Sequence, residues 1–438
     1  MDNISKETYI MPLPEERNYK NDLLKLIPAF EKKLIEREPF IRTQLLFMFA
    51  KHHYFYIGEP GVGKTYFCKT IFSCVIDAVF WEIQMTKGTT EKKLWGEDLS
   101  DPLSLVNAHF VFFDEMYKGQ DEILVSLLSF LNERYYTLNG KAVKVNLVCA
   151  VGASNEFPQG EMVKPFDDRF MGRDEIKRIQ TRENRKKFIN KQFDTSKDLP
   201  LYLCLDDIDY CYEEATKIVM TEEFESIYLK LMETTIKEGV DCSDRKYGHA
   251  ISILKMSAFL NNRTELDLSD IFIMEHIAWS NYTDRTNMRR ILSEVMYGNK
   301  NEIIDKLKNI EKDSIRIVSL KNSDYKNVLE YSHEFSGKTK ETIFISARDG
   351  LNNILIQLNT ELDKLEDIIR RYEEVILLEE KVNENIFIYK EKNNVYTQDI
   401  LEKIKSLYDF IKHNSITVND WLLGNRNLSD YEDKYYVE

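Results

Sequence analysis

Residues 54 to 65 read YFYIGEPGVGKT, and this order of apolar strand, glycine loop, lysine and threonine decides the fold. Tyr54-Phe55-Tyr56-Ile57 predicts a buried strand, and Phe67, Ile71 and Val75 recur at helical spacing after the loop. Between them Gly58-Glu59-Pro60-Gly61-Val62-Gly63-Lys64-Thr65 matches GxxxxGKT. A loop that wraps the β and γ phosphates of a nucleotide needs Gly58 and Gly63, because its backbone N–H groups turn inward at conformations a Cβ obstructs. Lys64 supplies the neutralising charge, and Thr65 offers a hydroxyl to Mg²⁺. Tyr66 follows in the first turn of the helix, whose N-terminus adds its positive end to the anion site. Strand, loop and helix together point to an α/β nucleotide-binding core with a parallel sheet flanked by helices.

A second element begins with the apolar run His109-Phe110-Val111-Phe112-Phe113, which ends in Asp114-Glu115. Two carboxylates at the C-terminal end of a central strand lie where α/β sheets hold their ligands. Asp114 is suited to hold Mg²⁺ through its water shell, and Glu115 to polarise the water that attacks the γ phosphate. Next comes a helical pattern of Ile123, Leu124, Leu127, Leu128 and Leu131, and then Tyr135-Tyr136-Thr137-Leu138 meets the hairpin signal Asn139-Gly140. A further strand, Leu147 to Val151, runs into Gly152-Ala153-Ser154-Asn155-Glu156. Asn155 has the chemistry to hold the attacking water or a γ-phosphate oxygen, although an asparagine in a turn fits the same local sequence.

In order and spacing these residues resemble AAA+ ATPases of the MoxR group, and within it the RavA type, over roughly residues 20 to 300. GEPGVGKT looks like Walker A, VFFDE like Walker B and ASNEFP like the sensor 1 segment. The hairpin at Asn139-Gly140 is similar to the one that precedes sensor 1, and LWGEDLSDPLS, residues 94 to 104, to the segment where this clade carries an insertion. Asp168-Arg169-Phe170 matches the element that carries the family's arginine finger; Arg173 and Arg134 stand close enough in sequence to serve instead, and a lone arginine also fits a solvated surface charge. The helix that follows Cys242 resembles the lid helix in which this type places sensor 2, with Arg245 at that position. GEPGVGKT departs from RavA itself at several loop positions while keeping the general Walker A pattern. The resemblance implies a homo-hexameric ring that hydrolyses ATP with Mg²⁺, completes each site with an arginine from the neighbouring subunit, and remodels a protein client. It also implies a partner with a von Willebrand A domain.

Composition is consistent with this class. The chain has 438 residues, 43% of them hydrophobic, enough for two or three domains with real cores. Six cysteines without a CxxC pair, mostly inside apolar patterns, read as reduced thiols of a cytoplasmic protein. The start MDNISKETYI has no basic segment followed by an apolar core, and no apolar run reaches the ~20 residues of a membrane span, so no membrane insertion is expected. Seven histidines without paired metal spacing give no transition-metal site. A net charge of −14 argues against a general nucleic-acid coat, while a ring pore can still be locally basic. Two other readings therefore stay open: a nucleic-acid translocase, and a nucleotide-gated scaffold with little hydrolysis. Glu115, Asn155 and Arg169 together speak against the scaffold, since a pure binder needs none of them.

Along the chain, residues 1 to 22 read as a loose arm, and helical stretches Leu23 to Glu36 and Phe40 to Ala50 lead into the first strand. The ATPase core runs from 23 to 193, FDTSKDLP (193 to 200) is a turn-rich linker, and a helical lid occupies 201 to 298. Residues 299 to 438 are rich in Lys, Glu and Asn and form a helical stalk or partner-binding region. Within it Leu351, Leu355, Leu358, Leu362, Leu365, Ile369, Tyr372 and Ile376 alternate spacings of four and three, the seam of a coiled coil or of a packed bundle. Ile315 to Leu320, Thr342 to Ser346 and Ile386 to Tyr389 read as short strands of a small α/β element.

Overall fold

The strand that precedes the glycine loop, β1 (His53–Ile57), lies inside a five-stranded parallel sheet ordered β2-β3-β6-β1-β7. The others are β2 (Phe80–Gln84), β3 (Phe110–Asp114), β6 (Cys149–Ser154) and β7 (Phe170–Glu175) in this computed structural model. It describes residues 12–96, 101, 104–138, 141–156, 168–240, 242–298, 300–320, 338–389 and 396–423. β1 and β6 are buried along their whole length, and β3 up to its terminal Asp114, as strands covered on both faces must be. Ile57 pairs with Ser154 on one side and Glu175 on the other, so the ends of β1, β6 and β7 stand level around the start of the loop.

Helices α1 (Tyr19–Lys33) and α2 (Glu38–Phe49) precede β1, and α3 (Lys64–Phe72) leaves the loop. Then come α4 (Glu91–Trp95) and α5 (Asp121–Asn132), followed by the antiparallel pair β4 (Tyr135–Leu138) and β5 (Lys141–Lys144). The expected turn residues 139 and 140 lie outside the described residues, as do 97–100 and 102–103 of the insertion segment. Trp95 of α4 stacks on Tyr136 of β4 with ring centroids 3.9 Å apart, and both pack against the cluster of Phe113, Leu127 and Phe130 under the sheet.

After β7 the short helix α6 (Arg182–Ile189) has no buried residue. The lid follows as α7 (Leu205–Thr216), α8 (Glu222–Lys237), α9 (Asp244–Leu260), a 3-10 stretch Leu268–His276 and α10 (Tyr282–Tyr297). It is tied to the sheet by Trp279, which is fully buried in the same cluster as Phe55 and Phe113. A second tie is the buried carboxylate of Asp174 on β7. It accepts hydrogen bonds from Tyr54 Oη (2.6 Å) and Arg285 (2.8 Å) and pairs with His276 Nδ1 (3.0 Å).

The expected loose arm needs correction over its described part. Pro14–Glu16 form a 3-10 turn, and Arg17 donates to Asp207 at 2.7 Å and to the Tyr202 carbonyl at 2.9 Å. Tyr19 is buried and its hydroxyl donates to Asp207 at 2.9 Å, so this segment is anchored by a buried carboxylate far along the chain.

Contacts divide the chain into one unit of Met1–Val295 with Lys381–Tyr389 and another of Met296–Glu380 with Lys390–Glu438. In the second unit α11 (Lys300–Leu320), α12 (Lys338–Glu384) and α13 (Tyr396–Leu422) share one apolar cluster. Leu351, Leu358, Leu365 and Tyr372 are buried in it, and Leu355, Leu362, Ile369 and Ile376 are partly buried against it. The seam therefore packs within the chain. None of the three expected strands forms. Ile315 to Leu320 continue α11, where Leu307, Ile310 and Ile317 keep a helical period, and Thr342 to Ser346 belong to α12, where Leu351, Ile354 and Leu358 do the same, so helical packing outweighs local β-branched propensity. Ile386 to Tyr389 form an irregular turn in the first unit, where buried Asn385 donates to Asp270 (3.0 Å) and the Ile386 N–H donates to Asn261 (3.2 Å).

Candidate active site

The loop after β1 has the conformation that its glycines were expected to permit. Gly63 stands at φ 85°, a left-handed geometry, and caps α3. A Cβ on Gly58 would lie 2.3 Å from the carbonyl oxygen of Ile176, so the loop passes too close to the end of β7 for any side chain there. Lys64 is buried, and its ammonium donates to the carbonyls of Gly58 (2.6 Å) and Glu59 (3.3 Å) and to Asn155 Oδ1 (3.0 Å). Burial pulls this ammonium down from its usual range, against Asp114 and Glu115, which hold it up. Thr65 is half-buried in the first turn of α3, and Tyr66 beside it is exposed.

Asn155 connects the loop to the end of β3. Its Nδ2 donates to Glu115 Oε1, while its Oδ1 accepts from Lys64, so the amide joins the lysine and the glutamate. Glu115 is buried, stands at φ 51°, and pairs through its other oxygen with Lys118 Nζ at 3.2 Å. A left-handed backbone is uncommon for a glutamate, and such outliers gather at functional sites. Asp114 accepts the Glu115 N–H at 3.0 Å. The structure thus assembles residues from three strand ends into one site: Lys64 from β1's loop, Asp114 and Glu115 from β3, and Asn155 from β6.

The donor set suits the expected ligands. A loop with a left-handed glycine, a buried lysine and a helix N-terminus suit a polyphosphate, and the hard oxygens of Thr65 and Asp114 suit Mg²⁺ in partnership with substrate oxygens.

The two expected arginines lie elsewhere in the chain. Arg169 precedes β7, and the six residues from it to Glu175 place it roughly 20 Å from the loop end of the sheet. Arg245, in the first turn of α9, donates to Asn132 at the end of α5 and lies near Arg169, whose pKa is lowered by burial and next by the Arg245 charge. Asp168 accepts from Ser243 in the same corner. Within one chain the site residues therefore form two groups at opposite ends of the sheet. The other two arginines are held by contacts within the chain. Arg173 is 2% exposed, donates to the Ser280 carbonyl and lies over Trp279, and Arg134 donates to the carbonyls of Lys51 and Val148 beneath the sheet.

Sequence reasoning missed Arg37. It is buried and donates to the Val62 carbonyl inside the glycine loop (3.0 Å) and to the Lys177 carbonyl past β7 (3.1 Å). Glu36-Arg37-Glu38-Pro39 reads as a charged turn between two helices and carries no signal of these contacts.

Residues 21–194 match the model for the MoxR domain of MoxR-vWA-beta-propeller ternary systems, and residues 224–292 match an AAA lid domain. Two uncharacterized proteins of Methanocaldococcus jannaschii are similar. MJ0812 is 28% identical over 80% of this chain and 96% of its own length, and MJ0079 is 27% identical over 70% and 85%. The chaperone MoxR1 of Mycobacterium tuberculosis is 26% identical over 32% of this chain and 41% of its own length. Among solved structures, a candidate ATPase from Cytophaga hutchinsonii superposes with a TM-score of 0.53 at 18% identity, covering 64% of this chain and 95% of that one, a likeness of fold.

Proposed function

We propose, for a chain that belongs to the MoxR family of AAA+ ATPases, that it hydrolyses ATP and uses the resulting motion to remodel a protein client. The observation that carries this reading is the chain of contacts from Lys64 through Asn155 to Glu115, which groups a phosphate-loop lysine, a polar amide and a carboxylate at one end of the sheet. In this reading the loop N–H groups and Lys64 bind the β and γ phosphates. Glu115 accepts a proton from the attacking water, and Asn155 orients that water. Thr65 and Asp114 hold Mg²⁺, which when bound offsets phosphate charge.

Arg169 is the residue proposed to complete the neighbouring subunit's site in a homo-hexameric ring, and Arg245 is proposed as sensor 2 on the lid helix. Support for Arg169 comes from its place at the end of β7 away from its own chain's loop, out of reach of that site within one chain. A von Willebrand A domain partner is supported by the name of the matching MoxR domain. No described helix is long and apolar enough to cross a membrane.

The test is phosphate release from ATP with Mg²⁺, measured with ATP binding. Lys64→Ala is expected to abolish binding, and Glu115→Gln to keep it while turnover falls by ~100-fold or more. Tight binding by Lys64→Ala, or normal turnover by Glu115→Gln, would overturn these roles.

A further inference from the structure

We propose that Arg37 is a positioning residue for the phosphate loop, and that with Glu36 it couples the loop to the segment leaving β7. The proposal rests on the reading that residues 58–65 bind ATP. Neither residue of the pair suits its local place. Glu36 stands at φ 55°, and Arg37 occupies the N-cap of α2, where Ser, Thr, Asp or Asn are preferred. Both side chains are used at long range instead. The Glu36 carboxylate accepts the N–H of Thr181 (3.0 Å), the Thr181 hydroxyl (2.9 Å) and the Asn184 amide (2.8 Å), which fixes the start of α6. Arg37, 8% exposed, donates from Nη2 to both the Val62 and Lys177 carbonyls and from Nη1 to the carbonyl of Glu36 (2.8 Å).

The Val62 contact reaches the anion site through one peptide plane. The Val62 carbonyl and the Gly63 N–H belong to the same planar trans unit and point in opposite directions. A guanidinium that holds the carbonyl therefore fixes where the N–H points, and inward N–H groups are what such a loop offers to phosphate. The second prong, at Lys177, ties this orientation to the chain between β7 and α6. Arg178, next in that chain, pairs with Glu59 of the loop, and the Ile176 N–H donates to Ile57 at 2.7 Å. The loop and the exit of β7 are thus joined by Arg37, Arg178 and the backbone at once. Both long-range bonds leave one nitrogen, Nη2, while Nη1 donates to the Glu36 carbonyl, and the planar guanidinium holds all three donors in fixed directions that a flexible ammonium does not.

The experiment measures ATP–Mg²⁺ affinity by calorimetry for the full chain as wild type, Arg37→Met and Arg37→Lys. Melting temperature and hydrogen exchange over residues 177–190 are recorded with and without nucleotide. Expected are about ten- to a hundredfold weaker binding in Arg37→Met, the worth of one charge-assisted hydrogen bond, and a smaller loss in Arg37→Lys. Nucleotide should slow exchange over 177–190 in the wild type and not in Arg37→Met. An arginine that only supports the fold would lower the melting temperature yet leave affinity and nucleotide-dependent protection intact, and that result overturns the proposal. If Arg37→Met does not fold, Arg37→Lys decides on the same measurements. Failure of the wild type to bind ATP would refute the ATPase reading itself, and this inference with it, whereas wild-type binding with unchanged variants refutes this inference alone.

Discussion

Asp174→Asn tests what fastens the lid to the sheet. The carboxylate is fully buried and has three partners: Tyr54 at 2.6 Å on β1, Arg285 at 2.8 Å on α10 and His276 at 3.0 Å on the 3-10 stretch. Asparagine keeps the shape but removes the charge, and its amide nitrogen faces groups that are themselves donors. Removing one partner from a buried ionic network typically costs about 3–5 kcal/mol, because the remaining cations stay poorly solvated. For a unit of this size that corresponds to a fall in Tm of roughly 10 °C. The pH dependence is the sharper signature. Burial alone would lower the His276 pKa, but the Asp174 carboxylate outweighs it and raises the value above the ordinary one. Burial alone would raise Asp174, and the His276 and Arg285 partners more than offset it and lower the value. The raised histidine contributes stability that is complete below its ordinary pKa of roughly 6.5 and is lost as pH rises through its folded value. The lowered carboxylate contributes stability above its ordinary pKa, lost as pH falls through its folded value. Urea melts at several pH values from roughly 5.5 to 8.5 should show the wild type losing stability toward the alkaline end. Asp174→Asn should be less stable throughout and lose the alkaline decline, with the slope flattened or reversed because burial then pulls the His276 pKa down. A cost below about 1 kcal/mol, or an unchanged alkaline slope in the variant, would refute the reasoning.

Arg169→Ala is expected to bind ATP and still assemble, yet lose most hydrolysis, because an arginine finger acts on transition-state charge. Mixing it with Glu115→Gln subunits should restore part of the phosphate release, and co-assembly without recovery would remove Arg169 from that role. Leu358→Ala, at a fully buried seam position of the second unit, should destabilise that unit by about 2–5 kcal/mol in denaturant melts while ATP affinity stays at the wild-type level. A loss under about 1 kcal/mol would mean that the seam does not carry the bundle.

Much of the fold is legible in the sequence by itself, because it is encoded by residues close together in the chain. YFYI followed by GEPGVGKT specifies strand, loop and helix through apolar period and glycine geometry, and the structure has β1, the loop and α3 in those places. VFFD likewise predicts β3, and the leucine spacing of residues 351 to 376 predicts a packed helix. What the tertiary structure alone decided depends on partners distant in sequence. Arg37 meets Val62 and Lys177, contacts 25 and 140 residues away that leave no local pattern. Tyr19 and Arg17 meet Asp207, which turns a polar terminal stretch into an anchored one. Arg169 and Arg245 gather at one corner, while Arg173 is buried against Ser280 and Trp279 and Arg134 is half-buried against the carbonyls of Lys51 and Val148, contacts that no local sequence pattern shows. The segments at 315 and 342 look like strands because β-branched residues favour extended chain locally. Strand pairing needs a second strand to satisfy its backbone, whereas a helix satisfies its own, and in the second unit the apolar faces of three helices supply the packing that settles the choice.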